Sequence, residues 1–299
     1  GAAPVEGDTL DLFSQEQESD TERTLEIITD KAKAKELAAH LEDLVTKDGF
    51  EFYVLADGSS QQEYMPVGVA FGTTDGKTSY VPIDNDVLLA QGLTLGTFKE
   101  IFGRVLEHKK PIKCGYDTKY MKHVFANVGI NLAGVSDDVM LESYVLEAHR
   151  SHTIEKLAAN WLKYELRGEE ELLGKGAKKL SFSQVSVEKA AEFASERVFI
   201  VSRLNRLFKK ALSDDAKLEK IYRDIEMPLS DVLFKMEQNG VLIDTKLLDQ
   251  QTAQLNTKAR ELEEQAFEVA GENFKLSSPK QLGEILFDKM GVVLEGAKP

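Results

Sequence analysis

The sequence contains one cysteine, and this scarcity excludes two kinds of structure. Cys114 stands alone among 299 residues, so the chain can form neither an internal disulfide framework nor a cluster of thiolate ligands around a metal. A chain without disulfides fits a reducing cytosol. With 42% hydrophobic residues there is ample material for a packed core, and the sequence predicts a cytoplasmic protein.

Long apolar stretches are also missing. A membrane-spanning helix needs about 18 or more consecutive apolar residues, and the sequence has no such run. The N-terminal segment, Gly1 to Glu6, has neither a basic start nor an apolar stretch, so it does not resemble a secretory signal. We therefore expect no membrane partner.

An excess of positive charge is absent as well. The net charge is −14, whereas proteins that grip nucleic acid present basic surfaces to its phosphates. This balance argues against strong binding of nucleic acid by the chain alone, although it does not exclude a local basic face. We expect any nucleic-acid-binding surface to lie mostly outside this chain.

The chain divides by composition into three regions. Residues 1–23 hold seven carboxylates against the single Arg23, which predicts an acidic, flexible linker; a docking motif around Phe13 is the alternative. Residues 24–215 have strand patterns early and helical patterns later, which predicts an α/β domain with a mixed sheet. Residues 216–299 are mostly helical in pattern.

Periodicity predicts the individual elements. Alternating apolar residues indicate strands, and apolar residues three and four apart indicate helices. Asp138 and Ser278 are typical of helix N-terminal caps, and Gly271 is typical of a helix C-terminus. The predicted strands cover 25–28, 50–55, 67–72, 78–83 and 241–243, and the predicted helices cover 30–45, 95–106, 119–128, 139–145, 154–162, 187–212, 218–238, 248–269 and a segment from 279.

The C-terminal part of the chain carries a long set of motifs. Residues 225–229 read IEMPL, residues 236–244 read MEQNGVLID and residues 276–282 read LSSPKQL. These segments resemble the start of the polymerase domain in family A DNA polymerases, the bacterial DNA polymerase I type. The resemblance places them at the entry to the thumb subdomain.

The middle of the chain resembles a second domain of the same polymerases. Residues 140–146 read MLESYVL and residues 174–182 read GKGAKKLSF, and both are similar to segments of the 3′–5′ exonuclease domain. The resemblance covers about residues 24–299. It implies a ribonuclease H-like α/β fold, with a mixed sheet flanked by helices, followed by a mostly helical, truncated polymerase domain. Such a chain would be a Klenow-type fragment without palm and fingers.

Exonucleases of this family hold two divalent metals with four carboxylates, and the metals activate the attacking water and support the leaving oxygen. The first two carboxylates come from an Asp-x-Glu motif on a strand, which corresponds here to Tyr53 and Leu55. The third is an aspartate that follows a tyrosine, and here Met121 follows Tyr120. Asp117 stands where the family has an asparagine.

The fourth carboxylate belongs to a Tyr-x-x-x-Asp motif on a helix, which corresponds to Phe193 and Arg197. The tyrosine that would orient the attacking water has lost its hydroxyl, and a cation stands at the aspartate position. The resemblance therefore implies no metal and no other cofactor in this chain, and a degenerate exonuclease domain that acts as a structural scaffold. The polymerase domain of a longer parent would need Mg²⁺.

Two other hypotheses remain open. Asp57, two residues beyond the glutamate position, and Asp117 could be replacement ligands, and the chain would then be an active metal-dependent 3′–5′ exonuclease. Against this, a slip of one residue turns the side chains of a strand to the other face of the sheet. The third hypothesis is a protein-interaction module that docks a partner in the decayed cleft.

Several polar residues have simpler interpretations. His149 and His152 have the spacing of metal ligands on a helix, but no third ligand is evident, and we expect exposed histidines. Lys175, Lys178 and Lys179 indicate either a contact with the DNA backbone or a flexible basic loop.

For Trp161 and Lys209, both on predicted helices, we expect structural rather than functional roles. Trp161, the only tryptophan, has helical spacing with Leu157, and we expect it in the core. Lys209 lies near the end of a predicted helix, where we expect a solvated charge that complements the helix dipole.

The resemblance implies a part of a bacterial DNA polymerase I, which acts in DNA replication and repair synthesis in the cytoplasm, close to the nucleoid. We expect a monomer that meets primer-template DNA mainly through parts of the parent protein that this chain lacks. We expect the chain alone to be inactive as an enzyme.

Overall fold

The computed structural model describes residues 24–44, 47, 49–72, 76–84, 92–110 and 112–292. The predicted acidic linker, with the docking motif considered for it, lies outside these residues. The chain separates into two units, Gly1–Asn239 and Gly240–Pro299.

The first unit is built around a mixed sheet, as the sequence predicts. Its strands follow the spatial order β1-β4-β3-β2-β6-β7, and β5 pairs with β4. The β2–β3 and β3–β4 pairs are antiparallel, whereas the other pairs are parallel. The strands are β1 Thr24–Ile27, β2 Phe50–Asp57, β3 Met65–Gly72, β4 Lys77–Asp84, β5 Leu93–Thr94, β6 Lys113–Gly115 and β7 Val135–Asp138.

Helices cover both faces of this sheet. On one face, helices α1 to α3 bury a core that includes Phe52 and Val54 of β2. On the other face, α7 buries a second core that includes Leu55 of β2. Successive side chains of a strand point to opposite faces, so β2 is buried on both sides. The helices are α1 Lys31–Leu44, α2 Leu95–Leu106, α3 Thr118–Asn127, α4 Val139–Leu146, α5 Ile154–Leu162, α6 Glu169–Leu173 and α7 Val187–Ser213.

The helix predicted over 218–238 is interrupted in the structure. The chain runs through α8 Ala216–Ile221, a π-helical turn over Tyr222–Glu226 and α9 Met227–Asn239. Pro228 explains the irregular turn, because proline has no N–H to donate to the carbonyl four residues earlier and its ring collides with that carbonyl. Helix α9, the last helix of the first unit, packs on α3.

The second unit consists of helices. Helix α10 (Thr245–Ala270) begins at the cap Asp244, ends at Gly271 with φ of 74°, and has no buried residue. Helix α11 (Pro279–Gly283) begins at the predicted cap Ser278 and continues into a π-helical turn over Glu284–Lys289. None of the helices in the described residues is long and apolar enough to cross a membrane.

The strand predicted over 241–243 is wrong. These residues form no strand, and Val241 and Leu242 are 89% and 99% exposed. A strand needs a neighbour to pair its backbone, and among the described residues the elements that flank this segment along the chain are the helices α9 and α10 (Thr245–Ala270). The three residues are apolar, as in a strand, but within the described residues no strand lies beside them to form a sheet.

Candidate functional site

Strand β2 directs two of the predicted positions toward α7. Tyr53 and Leu55 lie two residues apart on one face of the strand, opposite Ala70 and Gly68 of β3. Leu55 is 2% exposed and belongs to the core under α7. Tyr53 is half-buried and contacts both this core and the core on the opposite face. Burial raises the pKa of the Tyr53 hydroxyl to about 12.

Arg197, on α7, holds a fully buried guanidinium. Its Nη2 donates to Oε1 of Glu155 at 2.9 Å and to the carbonyl oxygen of Arg167 at 2.8 Å. The guanidinium carbon lies 3.3 Å from the centroid of the Phe193 ring and 5.9 Å from that of Tyr53. Both distances are in the range of cation–π interactions. The structure therefore brings together Tyr53, Phe193 and Arg197, three positions that the family resemblance assigns to one site.

Met121, on α3, belongs to a different core. It is 1% exposed and packs with the helices on the other face of the sheet, in the same cluster as Phe52. Tyr120, its neighbour, lies edge-on to Tyr64 with ring centroids 4.9 Å apart. Tyr53 also contacts this cluster, so it links the Met121 side of β2 to the Arg197 side.

The two aspartates proposed as replacement ligands serve separate segments of backbone. Asp57 accepts hydrogen bonds from the N–H groups of Phe182 at 2.6 Å and Ser183 at 3.1 Å. Asp117 caps α3 and accepts from the N–H of Tyr120 at 3.2 Å. Within the described residues, no group of three His, Cys, Asp or Glu side chains is placed to hold a metal ion.

Asp138 is a buried hydrogen-bonding centre whose full set of contacts sequence reasoning missed. One carboxylate oxygen accepts from the N–H and hydroxyl of Thr118 at 2.7 and 2.8 Å. The other accepts from the N–H groups of Met140 and Asp117. Burial raises the pKa of this carboxyl. Only its role as the N-cap of α4 was readable from the sequence, because its other partners are distant in the chain.

The predicted basic loop is paired with acidic residues of α6. Lys175 lies 2.6 Å from Oε2 of Glu170, and Lys179 lies 3.7 Å from Oε2 of Glu169. Lys178 is exposed. The contact of these lysines with DNA stays a prediction, but two of the three already have carboxylate partners.

The expectation of exposed histidines is confirmed for His149 and wrong for His152. His149 is exposed, whereas His152 is half-buried with Nδ1 3.0 Å from the hydroxyl of Ser143. Neither lies on a helix. Trp161 is partly buried and packs edge-on against the core residue Phe208 with ring centroids 5.0 Å apart, so it lies at the margin of the core in which we expected it.

Lys209 is exposed, as predicted, but the predicted interaction with the helix dipole is wrong. Its ammonium lies 2.7 Å from Oδ2 of Asp137, and Asp137 is 1% exposed. Arg223 approaches the other oxygen of Asp137 at 2.8 Å. Lys209 therefore neutralises a buried carboxylate on β7 rather than a helix end. Nothing local in the sequence of α7 signals this partner, because Asp137 and Arg223 lie on other elements.

Family comparison agrees with this architecture. Residues 61–204 match the model described as DNA polymerase I, ribonuclease H-like domain, and residues 245–298 match the model of DNA polymerase family A. The chain belongs to the DNA polymerase I family. Both predicted parts of the resemblance are confirmed by these matches.

Relatives in this family are much longer than the chain. DNA polymerase I of Pseudomonas aeruginosa is 38% identical over 235 residues, which is 77% of this chain and 26% of the relative. DNA polymerase I of Borreliella burgdorferi is 26% identical over 296 residues, which is 96% of this chain and 32% of the relative. The chain thus spans between a quarter and a third of the length of these two relatives.

A solved structure has the same fold. The Pol domain of Pol1 from M. smegmatis, in complex with DNA primer-template and dNTP, matches 90% of this chain and 41% of that chain with a TM-score of 0.67 and 24% identity. The predicted fold class, a ribonuclease H-like domain with a mixed sheet flanked by helices and then a helical polymerase region, is confirmed.

Proposed function

We propose that this chain forms part of a DNA polymerase I whose ribonuclease H-like domain no longer hydrolyses DNA and serves as a scaffold for the polymerase domain. The observation that carries the proposal is the guanidinium of Arg197, which is 1% exposed and stands where the family resemblance expects a metal-binding aspartate. A fixed positive charge there repels a divalent cation, most strongly in a buried, low-dielectric environment.

The other substituted positions provide no anionic oxygen. Leu55 has a hydrocarbon side chain and Met121 has a soft thioether, whereas Mg²⁺ requires hard oxygen ligands. Tyr53 could bind a metal only as phenolate, but its pKa of about 12 keeps it neutral at pH 7. A two-metal mechanism depends on such ligands to hold both ions, and these four residues cannot supply them.

The packing of these residues supports the scaffold role. Leu55, Met121 and Phe193 are each at most 2% exposed. Full burial of such side chains contributes about 1.5–3 kcal/mol each to folding. Residues that would face substrate in an active nuclease therefore stabilise the packing of β2 against α3 and α7.

The activity of the whole protein is part of the same proposal. The parent would add nucleotides to a DNA primer with Mg²⁺ bound in its polymerase domain, as a monomer in the bacterial cytoplasm near the nucleoid. Primer-template DNA would be held mainly outside this chain, in keeping with a net charge of −14. The M. smegmatis Pol1 domain in complex with DNA primer-template and dNTP is the related structure that supports DNA as the partner.

A nuclease assay tests the proposal. The chain is incubated with single-stranded DNA labelled at its 3′ end, with Mg²⁺ or Mn²⁺, beside a family member that keeps all four carboxylates. We expect release of labelled nucleotide by the relative and none by this chain. We also expect no heat of metal binding in calorimetry.

One result would overturn the proposal in favour of replacement ligands. It is steady release of nucleotide by the wild-type chain that Asp57→Asn or Asp117→Asn abolishes. Both variants keep the size of the side chain, and circular dichroism shows whether they remain folded.

A further inference from the structure

Two adjoining clefts lie beside β6 and β7 in the first unit, with volumes of about 670 and 490 Å³. They share Val135, Arg223 and Met227 as lining residues, so we describe them together as the basic groove. Its lining includes the carboxylates of Glu51, Asp137 and Asp231 but more than twice as many cations: Lys47, Lys109, Lys110, Lys122, Lys209, Arg223 and Lys235. In a chain of net charge −14, this is a marked local reversal of sign.

Some of these cations form ion pairs with carboxylates that also line the groove. Lys122 pairs with Asp231, and Lys209 and Arg223 both hold Asp137. These pairs join α3 to α9, and β7 to α7 and the π-helical turn.

Three cations of the groove face outward instead. Lys109, Lys110 and Lys235 are exposed, and no carboxylate of the described residues lies within ion-pair distance of them. These three ammonium groups are therefore available to an anion from outside.

The loop that carries Lys109 and Lys110 is held in a fixed conformation. The ammonium of Lys113, whose side chain is 0% exposed, donates to the carbonyl oxygens of His108 at 2.7 Å and Ala133 at 2.8 Å. Gly134 has φ of 64°, and a Cβ there would lie 2.3 Å from the carbonyl oxygens of His108 and Lys110. The backbone beneath the exposed lysines is thus packed and hydrogen-bonded, which lowers the entropic cost of presenting them to a ligand.

We propose that the basic groove binds the phosphodiester backbone of DNA. Lysine ammonium groups act as point charges toward phosphates, and an extended groove with several of them fits a repeating polyanion better than a single small anion. Neither Arg197 nor the other substituted exonuclease positions line this groove. The choice of DNA among polyanions rests on the proposed function, whereas the choice of a polyanion rests on the groove alone.

Binding is tested with a variant of the outward-facing lysines. Lys109→Gln, Lys110→Gln and Lys235→Gln are combined, and the matched control combines Lys99→Gln, Lys156→Gln and Lys217→Gln, which are exposed lysines that do not line the groove. Affinity for a fluorescent oligonucleotide is measured by anisotropy at several salt concentrations, with EDTA present. Single-stranded and duplex forms are titrated in parallel.

The groove variant should bind at least about tenfold more weakly at low salt, and its salt slope should fall by about 2 for the single strand, since each neutralised phosphate contributes about 0.7. The control should bind like the wild type. Weakening with either form of DNA supports the proposal, and the form that binds more tightly identifies the preferred ligand.

Two outcomes overturn the proposal. One is equal affinity and equal slope in the groove variant and the control. The other is unchanged DNA binding together with lost binding of a peptide of residues 1–23, which would make the groove a docking surface for acidic protein. Because EDTA removes any metal-dependent hydrolysis, neither outcome depends on whether the ribonuclease H-like domain cleaves DNA.

Discussion

The guanidinium of Arg197 donates hydrogen bonds to the backbone carbonyl oxygens of Arg167 and Phe193. Arg197→Met keeps an apolar stem over Phe193 but leaves the carbonyl of Arg167 without this donor. Glu155 is one-third exposed, so water can solvate its carboxylate in the variant. The loss of the hydrogen bond to the Arg167 carbonyl oxygen is therefore the main cost to stability. We expect the free energy of unfolding in urea to fall by about 1–3 kcal/mol.

The control for this prediction lies on the same helix. Lys189, also on α7, is exposed, and Lys189→Met should change stability by no more than about 0.5 kcal/mol. Equal stability of Arg197→Met and the wild type would show that the buried cation has no stabilising role.

Glu142, on α4, predicts a pH-dependent stability. It is 0% exposed, and neither carboxylate oxygen has a hydrogen-bond partner among the residues that the structure describes. Burial, with the charge of Asp137 second, raises its pKa well above the usual 4.5. Above pH 4.5 the unfolded chain releases this proton while the folded protein retains it. The contribution of Glu142 to stability must therefore fall as pH rises from there toward the folded-state pKa.

The variant Glu142→Gln keeps the shape of the side chain and cannot ionise. We expect its stability, relative to the wild type, to increase between about pH 5 and pH 7 in urea unfolding. The same difference at both pH values would mean that Glu142 is ionised in the folded protein.

Asp138 joins the starts of two helices, and its removal should weaken both. Asp138→Ala deletes the cap of α4 and leaves the buried Thr118 hydroxyl without its acceptor. We expect a loss of about 2 kcal/mol or more in thermal or urea unfolding. Asp138→Asn keeps one acceptor oxygen and should fall between Ala and the wild type. The reverse order of the two variants would contradict this account.

Elements with local signals were predictable from the sequence. The caps at Asp138 and Ser278 and the stop at Gly271 are confirmed, because side-chain oxygens and left-handed glycine act within a few residues. Strands β5, β6 and β7 were missed because, at 2, 3 and 4 residues, they are too short to show alternation. The segment 241–243 had the apolar pattern of a strand but no neighbour.

Only those site residues that belong to a recognisable motif could be predicted from the sequence. The family resemblance assigned Tyr53, Phe193 and Arg197 to one site, and these three side chains are neighbours in the structure. The pairing of Lys209 with Asp137 connects residues from distant elements, and no periodic pattern encodes such a partner. The basic groove escaped notice for the same reason, since its lysines come from five separate segments of the chain.

At the scale of the whole molecule, the boundary between the two units predicts where a protease cuts. Residues 240–244 form no helix or strand, and Leu242 is 99% exposed. Helix α9 stays with the first unit through contacts such as His123 Nε2 to Glu237 Oε2 at 2.7 Å. Under limiting thermolysin, the first cut within the described residues should fall at 240–244 and leave α9 on the larger piece.

Mass spectrometry of the digest identifies the cut. A first cleavage inside α7 or α9 would contradict the division of the chain at Asn239. Thermolysin suits this experiment because it cleaves before large apolar residues, and Val241, Leu242 and Ile243 offer three such positions.

The rate at which the single cysteine is modified can report local unfolding around it. Cys114 lies on β6, between β2 and β7, is 4% exposed, and burial raises its pKa well above the usual value. An alkylating reagent meets a reactive thiolate only after β6 parts from its neighbours. Because the sequence has no other cysteine, the rate of alkylation directly reports how often this part of the sheet opens.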